Sequence, residues 1–248
     1  MKLRMFVVAL AGLLTSIAAP AGGGQTQVAV AANFTEPAKE IAALFKRETG
    51  HEAVLIFGAS GSFLTQITHD APFEVFLSAD AERAKAAADG GFAVRDSRFT
   101  YAIGRLVLWS KVVDVTKGDE ALKAGNFAKL AIANPNAAPY GAAAIETMKA
   151  LGVYDALQPK IVPGNSVAQA FQFVDTRNAE VGFVALSQLA NVTTGTRWGV
   201  PQNLYSPIRQ DAVLLKRGEK DEASVAFLAF LKSPEARAII AKFGYGLD

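Results

Sequence analysis

Two patterns of apolar residues recur along the chain. Short apolar runs, typical of buried strands, occupy residues 27–32, 53–57, 75–78, 103–110, 130–133 and 181–185. Segments with apolar residues three or four positions apart, typical of amphipathic helices, occupy residues 35–49, 62–68, 81–88, 142–151, 167–175, 223–232 and 234–243. Because strands alternate with helices, the pattern predicts an α/β fold. Composition marks no linker, so any division into lobes has to come from the topology.

The N-terminal segment has the pattern of a secretory signal peptide. Lys2 and Arg4 precede an apolar run over residues 5–18, and the small residues Ala19 and Ala21 suit signal peptidase. The run is shorter than the roughly 20 residues that a membrane-spanning helix needs. We therefore expect residues 1–21 to be a signal peptide, cleaved near Ala21, and the mature chain to be secreted.

Charge and cysteine content exclude several classes of function. Removing Lys2 and Arg4 from the 25 basic residues leaves 23, which equals the number of acidic residues. A mature chain with no net charge gives no electrostatic reason to expect nucleic acid or an anionic membrane as partner. The chain has no cysteine, which excludes a thiolate site.

The sequence contains few residues in the arrangements typical of catalytic sites. His51 and His69 are the two histidines, and both lie in sequences typical of surface turns without the spacing of a metal site. The segment 58–62 lacks the glycine placement of a G-x-S-x-G nucleophile elbow and the Lys of a phosphate-binding loop. We predict that the chain is not an enzyme, and an exported hydrolase with Ser60 as nucleophile stays open as an alternative.

Four connections from a strand to a helix carry small or neutral polar residues, at positions 32–35, 58–62, 139–141 and 165–167. The first turn of a helix has unpaired N–H donors and a partial positive charge, which suit an anion. Ser, Thr and Asn are also ordinary helix caps, so each connection alone is ambiguous. Ligands of open α/β sheets lie at the carboxyl ends of strands, where these connections are.

Several motifs along the mature sequence, in this order, resemble the molybdate-binding proteins of bacterial ABC importers. The most specific is APFEVFLSAD at residues 71–80. The others are VAANF at 30–34, GASG at 58–61, ANP at 133–135, APYG at 138–141, GNSV at 164–167, VGFV at 181–184, KSPEA at 232–236 and FGY at 243–245.

This resemblance implies a two-lobed periplasmic-binding-protein (Venus-flytrap) fold, each lobe a mixed sheet flanked by helices. We expect residues 25–103 plus 206–248 to form lobe 1 and residues 104–205 to form lobe 2, with two chain crossings.

The resemblance also implies the residues of the site. Asn33 and Ser60 of lobe 1 would give side-chain and backbone donors to the oxyanion, and Tyr140 and Val167 of lobe 2 would give backbone N–H groups.

Two positions depart from some family members. Ala32 replaces a hydroxyl residue, and Ala185 replaces a ligand-contacting tyrosine. These departures leave the number of hydrogen bonds to the ligand open.

The implied function is periplasmic capture of molybdate, or tungstate, for an ABC permease and its ATPase. Molybdenum would be bound as the oxyanion and not as a free cation, with no cofactor, and the protein is expected to be a monomer. The alternatives are a binding protein for sulfate-like oxyanions, the serine hydrolase, and a ferric-ion-binding protein. A ferric site needs clustered hard oxygen donors, and the matched positions offer Tyr140 alone.

Overall fold

The structure is a computed structural model that describes residues 23–247, so the predicted signal peptide at residues 1–21 lies outside the described residues. Two five-stranded mixed sheets organise the chain. The first contains β1 (Gln25–Ala31), β2 (Glu52–Gly58), β3 (Val75–Leu77), β4 (Phe99–Gly104) and β10 (Ile208–Leu214). The second contains β5 (Leu106–Ser110), β6 (Leu130–Ala133), β7 (Ile161–Gly164), β8 (Val181–Ala185) and β9 (Thr196–Gly199).

The two sheets have the same arrangement of a parallel trio beside antiparallel strands. The first has the order β2-β1-β3-β10-β4, with β1 parallel to β2 and β3, and with β10 antiparallel to β3 and β4. The second has the order β7-β6-β8-β5-β9, with β6 parallel to β7 and β8, and with β5 antiparallel to β8 and β9. The predicted two-lobed α/β fold with mixed sheets is confirmed.

Helices cover both faces of each sheet. They are α1 (Thr35–Thr49), α2 (Ser60–Thr68), α3 (Ala81–Asp89), α4 (Gly118–Ala124), α5 (Pro139–Ala150), α6 (Tyr154–Leu157), α7 (Val167–Asp175), α8 (Glu222–Phe230) and α9 (Pro234–Lys242). Among residues 23–247, no helix combines the length and apolar character that crossing a bilayer requires. Helix α1 ends where Gly50 adopts a left-handed φ of 77°, as its sequence predicts.

The core forms on both faces of each sheet because successive strand residues point to opposite sides. In β3, Val75 and Leu77 join the cluster under α1, α8 and α9, whereas Phe76 joins the cluster under α2 and α3. In β5, Leu106 and Leu108 pack towards α5, whereas Val107 and Trp109 pack towards α7. Strands buried on both faces explain why their sequences are continuous apolar runs.

One predicted strand is wrong. The run at residues 103–110 is divided at Arg105 into β4 and β5, which belong to different sheets. Arg105 is the only charged residue in this run, and the largely buried strands on both sides of it made the run look like one strand. The predicted lobe limits, 25–103 plus 206–248 and 104–205, stay a prediction, although strands on either side of each crossing belong to different sheets.

The start of α5 approaches the end of β6 closely because residue 141 is a glycine. A Cβ added to Gly141 would lie 2.1 Å from the carbonyl oxygen of Ala133. Any side chain there would push the helix away from the strand, since the obstructing atoms belong to the backbone. Gly141 thereby fixes the position of the first turn of α5.

Candidate functional site

A small cavity lies between the two sheets, and all four predicted ligand residues line it. Asn33, Ser60, Tyr140 and Val167 are each at most 3% exposed. The volume open to the centre of a water molecule is about 10 Å³, far below the roughly 300–1,000 Å³ of pockets for organic ligands. The lining residues are Ala31, Ala32, Asn33, Gly58, Ala59, Ser60, Ala79, Ala138, Pro139, Tyr140, Ser166 and Val167.

The cavity lies at the carboxyl ends of the parallel strands. Residues after β1, β2 and β3 form one wall, and residues after β6 and β7 form the other. Such strand ends are the usual ligand position in open α/β sheets. The convergence that the sequence alone left open is therefore a property of the fold.

Unoccupied N–H donors are available because two of the surrounding helices lack a side-chain cap. Ala59 and Ala138 stand at the N-cap positions of α2 and α5, and neither has an oxygen that could accept from the first turn. Ser60 and Val167 begin α2 and α7, and Tyr140 is the second residue of α5. A helix supplies no backbone acceptor at these positions, so their N–H groups suit an external anion.

The hydroxyl of Ser60 accepts a hydrogen bond from within the first lobe. Its Oγ accepts a hydrogen bond from the N–H of Ala79 at 2.8 Å. A hydroxyl also has one proton, and the bond from Ala79 leaves that proton available to donate. The interpretation of Ser60 as an ordinary helix cap is therefore wrong, since α2 begins at Ser60 itself.

The side-chain amide of Asn33, expected to donate to the anion, donates to other residues of the protein instead. The Asn33 Nδ2 group donates to Oε1 of Gln210 at 2.8 Å and to the hydroxyl of Tyr245 at 2.9 Å. Both N–H bonds of this amide are thus used within the protein. The donor that Asn33 has left for a guest is its backbone N–H.

Asn33 belongs to a buried polar network that joins the two sheets. Gln210 is fully buried in β10, accepts from Tyr101 at 3.1 Å and donates to the Tyr140 hydroxyl at 3.3 Å. The hydroxyl of Tyr140 is therefore engaged by a residue of the first sheet. Burial raises the pKa of Tyr101 and of Tyr140 well above the usual value for tyrosine.

Ser187, next to the cavity, extends the network from the second lobe. Its hydroxyl donates to the backbone carbonyl of Asn33 at 2.8 Å and lies 3.0 Å from the hydroxyl of Tyr245. Tyr245 also donates to the Asn33 carbonyl at 2.8 Å, and its burial raises its pKa above the usual value. Sequence reasoning missed Gln210, Tyr245 and Ser187, because only the fold brings residues so distant in the chain together.

The cavity is uncharged. The described residues that line it include no Lys, Arg, Asp or Glu. Ala32 lines it with backbone and a methyl group, whereas Ala185 is buried elsewhere and bonds through its N–H to Gln188.

Within residues 23–247, no three His, Asp or Glu side chains converge as a metal site. The phenol of Tyr140 is bonded to Gln210 and its pKa is raised, which disfavours it as a ferric-ion ligand.

The hydrolase alternative lacks a base beside Ser60. The Nδ1 atom of His51 accepts from the N–H of Gly24, and the Nδ1 atom of His69 lies 2.7 Å from the carbonyl of Thr65. Neither ring contacts Ser60, so the nucleophile–base hydrogen bond of a serine hydrolase is not formed among the described residues.

Comparisons with known proteins identify the family. Residues 26–246 match the family of bacterial extracellular solute-binding proteins. The molybdate-binding protein ModA of Rhodobacter capsulatus is 56% identical over 98% of this chain and 96% of its own length. The chain belongs to the ModA family. ModA of Azotobacter vinelandii is 49% identical over 100% of this chain and 99% of its own.

A solved structure supports the same assignment. The Azotobacter vinelandii periplasmic molybdate-binding protein superposes with a TM-score of 0.86 and 39% sequence identity, covering 90% of this chain and 99% of that one. The predicted family resemblance is confirmed. The matched family is one of bacterial extracellular solute-binding proteins, and the relatives are named as molybdate-binding proteins, which agrees with the prediction of a binding protein.

We expect the buried tyrosines to lower the free energy of unfolding as the pH rises into the alkaline range. Their pKa values are raised in the folded state and return to about 10 on unfolding, so their contribution is complete below about pH 10 and is lost above it. Each such tyrosine contributes a slope of up to about 1.4 kcal/mol per pH unit above pH 10. Urea unfolding at pH 8, 10 and 11 should show a shallower loss for Tyr245→Phe than for the wild type. Tyr154→Phe, outside the network, is the control, and equal slopes for both variants would contradict the assignment.

Proposed function

We propose that this chain is the periplasmic binding component of an ABC importer and that it captures molybdate, or tungstate, between its two lobes. The observation that carries the proposal is the uncharged cavity, which is bordered by the first turns of α2, α5 and α7. The relatives named as molybdate-binding proteins match the chain over nearly its whole length, which supports the same ligand here.

The proposed binding chemistry is recognition of a dianion by neutral donors. Ser60 contributes its N–H and O–H, and Asn33, Tyr140 and Val167 contribute backbone N–H groups. Hydrogen bonds to a charged group are worth about 1.5–3 kcal/mol each, so five of them offset a large part of the lost hydration. Neutral donors from both lobes also favour the closed state when the anion is present.

Phosphate is disfavoured because a protonated oxyanion needs an acceptor. Asp80 directly follows Ala79, which lines the cavity, but its carboxylate bonds to Arg83 and borders a separate groove. Sulfate has the same charge and shape as molybdate, so discrimination between them rests on cavity size. Six of the twelve lining residues are Ala or Gly, so backbone atoms set much of the width of the cavity.

The remaining parts of the proposal follow from the family. A permease and its ATPase in the inner membrane would receive the ligand, and the chain would act as a monomer. Export would remove the signal peptide near Ala21 and deliver the protein to the periplasm. Lobes at residues 25–103 plus 206–248 and at 104–205 would close by a hinge motion about the two crossings.

Isothermal titration calorimetry with molybdate, tungstate, sulfate and phosphate tests the proposal. We expect molybdate and tungstate to bind at least tenfold more tightly than sulfate, which corresponds to about 1.4 kcal/mol, and phosphate to give no comparable signal. Sulfate bound as tightly as molybdate would favour the sulfate-like alternative and would contradict the proposal.

Ser60→Ala tests the side-chain donor. It removes a hydroxyl that faces a desolvated charge, so molybdate affinity should fall by roughly 1–3 kcal/mol. Ser62→Ala, which changes an exposed serine in the same helix, is the matched control and should bind as the wild type does. An unchanged affinity in Ser60→Ala would remove the Ser60 hydroxyl from the site.

A further inference from the structure

The loop that precedes α5 is bonded directly to the opposite lobe. The N–H of Gly61 donates to the carbonyl of Ala137 at 2.9 Å, and Nη2 of Arg83 donates to the carbonyl of Asn136 at 2.8 Å. Gly61 follows Ser60, and Ala137 comes three residues before Tyr140. These two bonds therefore set the distance between two of the helix N-termini that border the cavity.

A glycine at residue 61 favours close approach at this point. A Cβ on Gly61 would lie 3.0 Å from Cα of Ala137 and 3.2 Å from Nε of Arg83. The N–H of Gly61 would be free for an anion if α2 stood alone, yet it is used here to join the lobes. Contact between the lobes thus occurs within one residue of the proposed anion donors.

Arg83 is held in the orientation that this contact needs. Its Nη1 group pairs with Asp80, and the same carboxylate caps α3 by accepting from the N–H of Arg83 at 2.7 Å. The Arg83 side chain is only 21% exposed. Asp80 balances its charge, so the pair adds no net charge beside the cavity.

The pair borders a groove next to the cavity. Ala79 lines the cavity, whereas Asp80 and Arg83 line an adjoining groove of about 330 Å³. Pro139 borders both. The hydrogen bond by which Arg83 joins the two lobes therefore lies beside the cavity.

We propose that Arg83 is a positioning residue whose hydrogen bond to Asn136 holds the loop at residues 134–138 against lobe 1 and thereby slows release of the bound anion. We call this contact the clasp. The proposal rests on the proposed function for the identity of the anion. Arg83 acts through the carbonyl of Asn136 and does not touch the guest. Its loss should speed dissociation while the donors of Ser60, Tyr140 and Val167 remain in place.

Stopped-flow tryptophan fluorescence with molybdate tests the clasp. Arg83→Met should raise the dissociation rate constant roughly tenfold, the effect expected for one hydrogen bond from a charged group. Lys85→Met is the matched control, because it removes an exposed cation from the same helix, and it should leave that rate constant unchanged.

A double variant separates the clasp from simple electrostatic attraction. Arg83→Met leaves Asp80 unpaired, and its negative charge should slow association of a dianion. Asp80→Asn combined with Arg83→Met keeps the local charge at zero, so association should recover while dissociation stays fast. If dissociation in both variants matches the wild type, the clasp is refuted, even where association changes.

Amide hydrogen exchange at Gly61, measured without any anion, gives a readout that does not depend on the ligand. We expect faster exchange in Arg83→Met than in Lys85→Met, because the bond to Ala137 opens more often. A wild-type protein that does not bind molybdate would refute the proposed function alone. In that case equal exchange at Gly61 in the two variants would refute the clasp.

Discussion

A doubly charged oxyanion that enters a protein loses its water, and hydrogen bonds must replace that water before binding becomes favourable. The fold can provide such hydrogen bonds from backbone N–H groups, because the first turns of helices from both lobes border one small cavity. Alanine at the N-cap positions of α2 and α5 is central, because a capping Ser or Asp would occupy donors that the guest needs. In the proposed binding mode, the absence of a capping side chain at Ala59 and Ala138 leaves these donors to the anion.

The buried polar network gives these donors fixed positions. Gln210 contacts Asn33 of the first lobe and Tyr140 of the second, so one amide links loops on both sides of the cavity. Ser187 and Tyr245 hold the Asn33 carbonyl from two directions. Buried networks of this kind are costly unless every member is paired, and among residues 23–247 no buried side-chain nitrogen or oxygen lacks a partner.

Sequence reasoning predicted most helices, because their apolar faces and their stops are local features. Helix α1 (Thr35–Thr49) and strand β8 (Val181–Ala185) have the predicted bounds. Strand β10 was missed because Arg209 and Asp211 interrupt its apolar pattern. Asp211 is nevertheless buried, since Arg98, which is 113 positions away, pairs with it.

For the site, likewise, only some features could be predicted from the sequence. Backbone donors at helix starts can be predicted from sequence, and Ser60, Tyr140 and Val167 all line the cavity. Side-chain orientation could not be predicted, because the amide of Asn33 is directed by Gln210 and Tyr245, which lie 177 and 212 residues away. The hydrogen bond from Arg83 to the carbonyl of Asn136 likewise could not be predicted, because the two residues are 53 positions apart in the chain.

A crystal structure with tungstate, located by its anomalous scattering, tests the central claim most directly. The account predicts one tungsten atom in the cavity, with its oxygens about 2.7–3.2 Å from the N–H groups of Ser60, Tyr140 and Val167 and with no Lys or Arg in contact. Tungsten bound to basic side chains, or found only in the groove beside Arg83, would contradict it.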